Sequence, residues 1–261
     1  MCNEVKNKTY NEFKKKLGER DAIVQFTELM TRDFMKIYGN EVKNSNFLRN
    51  KSNEYELNLT CFDYKLLINK LVGSYIINVN VCFEEYLRKV YGKIRKYFKN
   101  YIPKKQEESL LECVLNNLDE SKMDEKLHYY YRVCEYYRLL RNFFVHGKKD
   151  IKDNRELLLK EINKAAKKYK IDSWEIPNKL EEVNYNDFKL FSISSLKVGK
   201  FIITSLVYDV EKIYENNNWN NLKKYKNNLP KMKKCIESFL KNNYNISDIK
   251  YVDYIFNKIN E

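Results

Sequence analysis

Two side chains suited to anion binding and acid–base chemistry stand five positions apart, Arg141 and His146, near the end of the segment LHYYYRVCEYYRLLRNFFVHGKK. The chain has only 2 histidines, so the place of each is informative. A guanidinium presents a planar fork of donors that matches a phosphate. An imidazole moves protons near neutral pH. Asn142, a polar residue, follows the arginine. Arg138, one turn earlier, and Lys148 and Lys149, just beyond the histidine, supply further cations for an anionic ligand.

These residues need a helix to hold them. Leu127–His146 carries apolar residues at helical spacing and stops at Gly147. At 3.6 residues per turn, Tyr130, Val133, Tyr137, Leu140 and Phe144 form one stripe, the expected core face. His128, Glu135, Asn142 and His146 fall on the opposite side. Arg141 lies about 40° from the centre of the stripe, at the edge of the apolar face. A cation there needs a partner such as Glu85 or Glu135, or an anionic ligand, because an unpaired buried charge is costly. On a straight helix Arg141 and His146 diverge by about 140°. They serve one reaction centre only if the helix distorts at its end or if two copies face each other across a cleft, which predicts a symmetric dimer. The helix dipole at that end favours the imidazolium, and the neighbouring cations oppose it. Such a balance suits general acid–base work.

The rest of the chain reads as all-α. Its 261 residues hold only 6 glycines and 3 prolines, which leaves long uninterrupted segments. Ile23, Phe26, Met30, Phe34 and Ile37 predict a helix from Asp21 to Gly39, preceded by a charged stretch over 1–20 that allows a frayed helix and followed by a polar loop over 40–54. Alternation at Tyr55, Leu57 and Leu59 allows a short strand. A long helix is expected from Asp63 to Tyr101, closed by Pro103, and a shorter one over Glu107–Leu118. Beyond the organising helix come helices over Asp153–Tyr169, Ser192–Tyr214, Lys231–Lys241 and Ser247–Ile259. The first of these has Asp153 or Asn154 as its cap, and Trp174 and Pro177 anchor the irregular stretch that follows it. The expected organisation is an N-terminal helical extension over 1–61, an antiparallel bundle over 62–215 and a C-terminal extension over 216–261, together one compact unit.

A net charge of +13 agrees with an anionic partner, although Lys greatly outnumbers Arg and an Asn-rich, Lys-rich surface produces the same balance. Cys2, Cys61, Cys82, Cys113, Cys134 and Cys235 are scattered, with no C-x-x-C and no histidine nearby. They read as thiols in a reducing cytosol rather than as a zinc site or a disulfide framework. The most apolar windows, Leu66–Phe83 and Leu190–Val210, contain Lys70, Lys197 and Lys200, and neither is expected to span a membrane.

The pattern Arg141-Asn142-x-x-x-His146, at the end of a long helix in an all-α chain, resembles the HEPN family. It is similar to the Abi-like and toxin-type members of bacterial defence systems, over roughly residues 62–215. The resemblance implies a bundle that forms a homodimer and a cytoplasmic, metal-independent endoribonuclease without a cofactor. It implies that His146 acts on the 2′-hydroxyl or the leaving oxygen and that Arg141 holds the scissile phosphate. Asn142 would orient either His146 or the phosphate, and Arg138, Lys148 and Lys149 would meet the RNA backbone. An antitoxin or other defence partner protein is also implied. Members paired with a nucleotidyltransferase antitoxin often carry a Tyr two residues after the His, where this chain has Lys148. The alternative is a non-catalytic helical module that binds RNA, nucleotide or a partner protein. A restriction-type metal nuclease finds poor support, because Asp33, the acidic residue ahead of Glu41-Val42-Lys43, sits within a helical pattern. No phosphate-cradling glycine motif occurs.

Overall fold

The computed structural model describes residues 7–61, 63–147 and 152–261, and among these it is all-α, with no strand. The helices are α1 (Lys8–Tyr38), α2 (Ser45–Glu54), α3 (Tyr64–Tyr97), α4 (Leu110–Asn116) and α5 (Glu125–His146). They continue with α6 (Lys152–Tyr169), α7 (Tyr185–Ser205), α8 (Val210–Glu215), α9 (Leu229–Tyr244) and α10 (Ile249–Asn260).

Most boundaries follow from side-chain caps. Ser109 and Glu112 form a reciprocal capping box at the start of α4. Asp209, Asn228 and Asp248 accept backbone N–H bonds at the starts of α8, α9 and α10. The Asp209 cap explains why the helix expected to run unbroken to Tyr214 divides after Ser205. Asn44 caps α2, a helix in what reads as a polar loop; of its ten residues only Leu48 and Ser52 are buried, too few to show a period. The expected strand at Tyr55–Leu59 is irregular chain, with Tyr55 and Leu57 exposed. α6 begins at Lys152, so Asp153 and Asn154 lie within it. Trp174 is 43% exposed and does not anchor its segment, whereas Pro177 is buried.

α1 starts well before the expected Asp21, because Tyr10, Phe13, Leu17 and Val24 are buried at helical spacing. The stripe that announced this helix is not the one it buries. Ile23, Phe26, Met30 and Ile37 are 65%, 63%, 45% and 67% exposed.

The chain divides into two compact units that cut across the chain-order segments 1–61, 62–215 and 216–261. The first comprises residues 7–15, Cys82–Leu127 and Leu196–Glu261. Its core is aromatic: Phe13 stacks on Tyr86 at 4.7 Å, and the Tyr86 hydroxyl donates to the Gly199 carbonyl at 2.7 Å. Tyr97, Tyr208 and Tyr244 meet edge to face nearby.

The second unit comprises Lys16–Val81 and His128–Ser195 and carries the motif helix. Within it α1 runs antiparallel to α3 and to α7. Arg20 donates to Asn78 at 2.9 Å, and Arg32 and Met35 line one cavity with Tyr64 and Ile68. Ser192 donates to Asp21 at 2.7 Å, and Arg32 lies over the Tyr185 ring. α3 is long and apolar enough to cross a membrane by length and composition, and 44% of its most apolar window is buried within the protein.

Candidate functional site

The motif sits on the last turns of α5, and two buried groups fix that helix. Tyr130, Val133, Tyr137 and Leu140 are buried, as their spacing requires, and Tyr129, Cys134 and Tyr136 widen the buried arc. The Tyr137 hydroxyl donates to Asp187 Oδ1 at 2.8 Å. Asp187, only 1% exposed, also accepts from the Asn178 backbone N–H and side-chain amide and from the Asn184 N–H, all within 2.9 Å. A carboxylate buried in this way is tolerated because its lone pairs are filled. It ties α5 to the start of α7 and to the loop between α6 and α7. Burial, with the Asp187 charge beside it, pushes the Tyr137 hydroxyl well above the ordinary range, so this group donates and does not ionise. Burial likewise keeps Cys134 a thiol.

The end of α5 is held by close approach to α3. Phe144 lies over Gly73, where a Cβ would come within 2.8 Å of the ring. Phe143 meets Phe144 edge to face at 6.0 Å and lies under the Arg155 guanidinium of α6, whose carbon is 5.4 Å from the ring centre. The helix then stops cleanly. Gly147 adopts φ +63° and its N–H reaches the Phe143 carbonyl at 2.9 Å.

On this scaffold Arg141 and Asn142 are half-buried and His146 is exposed. Arg141 Nη1 donates to Asn142 Oδ1 at 3.0 Å. Its Nε is buried and finds no hydrogen-bond acceptor. The carboxylates considered as partners are engaged elsewhere: Glu135 receives Arg138 Nε and Nη2, both at 2.8 Å, and Glu85 lies 3.7 Å from Lys89. Arg138 therefore commits two donors to a neighbour on its own helix. His128 is exposed near the start of α5, far along the chain from the motif. Lys148 and Lys149 lie outside the described residues.

α5 stays α-helical through His146, so the distortion that would bring Arg141 and His146 to one point is not present. The two side chains diverge by about 140° on a regular helix. The arrangement offers a guanidinium with an unfilled donor, an amide that steadies it and an accessible imidazole on another face. Among the described residues no group of three or more His, Cys, Asp or Glu could hold a metal ion.

Asp187, Gly73 and Arg155 escaped the reading of the sequence. Asp187 lies in the first turn of a helix that begins at Tyr185, seven residues before the expected Ser192. Gly73 sits inside a strongly helical pattern, and an isolated glycine there signals close packing. Arg155 stands among lysines and glutamates on α6, and nothing in its neighbours marks it as buried.

The protein is thus all-α, with a phosphate-compatible Arg–Asn pair at the end of a core helix. No family model matches the chain, and no curated protein or solved structure matches it either.

Proposed function

We propose that this protein is a metal-independent endoribonuclease of HEPN type, acting in bacterial defence or as a toxin, with its site completed by a second copy of the chain. The observation that carries the reading is the Arg141 guanidinium. It is half-buried, steadied by Asn142, paired with no carboxylate among the described residues and left with a buried donor unfilled. Such a group is costly to hold unpaired, and a phosphate bound at its terminal Nη edge, with the side chain turning to open Nε, would satisfy it.

RNA carries its own nucleophile, so the reaction needs a proton acceptor, a proton donor and an anchor for the phosphate. The 2′-oxygen gives up its proton and attacks the adjacent phosphorus, and the bond to the 5′-oxygen breaks. The products are a 2′,3′-cyclic phosphate and a 5′-hydroxyl. His146 takes the proton from the 2′-hydroxyl or delivers one to the leaving oxygen. Arg141 binds the phosphate and the charge that develops on it. Asn142 holds Arg141 in place.

The divergence of Arg141 and His146 on one regular helix supports a homodimer, since two copies provide both groups to one cleft. The exposed line Ile23, Phe26, Met30 and Ile37 supports it too. Its steps of three, four and seven residues are those of a two-helix seam, which the same helix of a second copy can match. An antitoxin or other defence protein would act on this dimer.

The reading is tested by the products. Cleaved RNA should end in 2′,3′-cyclic phosphate and 5′-hydroxyl, and replacing the ribose 5′ of the scissile phosphate by deoxyribose should stop cleavage. A 3′-hydroxyl and 5′-phosphate would refute it.

A further inference from the structure

The second unit contains a cavity of about 360 Å³ beside the motif helix, walled by α5, α6 and the loop between α6 and α7. We infer that this cavity binds the phosphate-bearing part of a nucleotide, with Arg155 as its anchor. The inference deepens the RNA-cleavage reading, yet binding alone tests it, so failure of either leaves the other measurable.

Arg155 is 6% exposed and lines the cavity. Among the described residues no hydrogen bond or ion pair is formed by it; it lies over the Phe143 ring and acts electrostatically on the Tyr136 hydroxyl. A guanidinium placed over a ring satisfies its face and leaves its N–H edges unfilled, and those edges carry the donors. These nitrogens are not sealed off within the protein, so their donors open into the cavity, where an anion can meet them.

Two features narrow the class of anion. Lys160 and Lys179 join Arg155 in the lining, while Glu156 and Glu181 offset much of their charge. Three cations against two carboxylates leave a formal lining charge of about +1, which suits a single phosphate better than a triphosphate. The carboxylates can also accept from ribose hydroxyls or a base amino group. The remaining wall is apolar or aromatic, from Tyr136, Leu159 and Leu180, and suits a ribose or base. The volume falls within the range of small-ligand sites.

The position matters as much as the chemistry. Arg155 touches Phe143, which lies directly between Asn142 and Phe144 in the motif. A ligand that draws on the guanidinium therefore acts one residue from the amide that steadies Arg141. The nucleotide is either free or one residue of an RNA strand, and both present the same monophosphate chemistry.

The test is titration calorimetry of the full chain with each 5′-nucleoside monophosphate, the matching nucleosides and a 2′-O-methyl tetranucleotide that cannot be cleaved. At least one monophosphate should bind, and its nucleoside should bind about tenfold more weakly or worse. Arg155→Gln should weaken the monophosphate by about tenfold or more, as should the pair Lys160→Glu with Lys179→Glu. The two lysines are exposed, so this pair keeps the test valid if Arg155→Gln fails to fold. Tighter binding of the tetranucleotide, weakened by the same substitutions, supports the site as part of the RNA path. Equal or weaker tetranucleotide binding supports a free nucleotide. Absence of binding by any monophosphate or by the tetranucleotide to folded wild-type protein would overturn the proposal. So would binding that the lysine reversal leaves unchanged.

Discussion

Arg141 Nη1 donates to Asn142 Oδ1 at 3.0 Å while Arg141 Nε lies buried with no acceptor. Adjacent residues on a helix do not share a face, so this contact requires the guanidinium to fold back across the helix surface. Asn142→Ala would release it. RNA cleavage by this variant should fall by about tenfold to a hundredfold with the fold intact, since Asn142 acts through Arg141. Asn142→Gln, which keeps an amide, should recover part of the loss. Because a merely structural role for Asn142 would lower stability instead, the thermal midpoint is the control.

The Tyr137–Asp187 bond should matter to stability before it matters to chemistry. Tyr137→Phe leaves a buried carboxylate one donor short and should cost about 1–3 kcal/mol in urea unfolding. Asp187→Ala strands the Asn178 and Asn184 donors as well and should cost more than Tyr137→Phe.

Gly73 sets how closely α3 and the end of α5 approach. Gly73→Ala places a methyl 2.8 Å from Phe144 Cδ1 and should destabilise the fold by about 1–3 kcal/mol. Phe144→Leu in the same chain should return part of that loss, a coupling that a double-mutant cycle reads directly.

How much of this was legible in the sequence differs by element. The buried face of α5 was, because Tyr130, Val133, Tyr137 and Leu140 recur at the helical period and nothing competes with them. On α1 two stripes share one helix, and the more conspicuous, through Ile23 and Phe26, is the exposed one. Periodicity reports that a chain is helical; it does not say which stripe faces inward. The motif residues were visible by type and spacing, and the edge position of Arg141 followed from its angle. Arg155 could not be found this way, because its burial depends on α5, not on its own helix.

That exposed stripe is itself a prediction. Ile23→Ser with Phe26→Ser should change the stability of the monomer by about 0.5 kcal/mol or less, as exposed positions allow. In sedimentation the same variant should shift from dimer to monomer, and cleavage should fall with it. A variant that stays dimeric would place the interface elsewhere.

Lys93 offers a test by pH. Burial lowers its amine from 10.5 to about 8, and its Nζ is held by the Asn243 carbonyl at 2.7 Å. Between those two values the unfolded chain binds the proton and the folded chain does not, so this group makes stability rise with pH across the window. Below about 8 the charge is carried in both states and its burial is a cost. Lys93→Met should therefore remove that rise. The stability difference between wild type and variant, followed by urea unfolding, should move in favour of the wild type as pH increases through the window.

The most direct measurement is cleavage of total RNA by purified protein in EDTA, with His146→Ala and Arg141→Ala alongside and the mass of each measured in solution. Wild-type protein should be a dimer and should cut RNA under these conditions. Each variant should remain dimeric and lose activity by about a hundredfold or more. Wild-type protein that leaves RNA intact, or variants that cut as well as wild type, would contradict the assignment of Arg141 and His146 to an RNA-cleaving site.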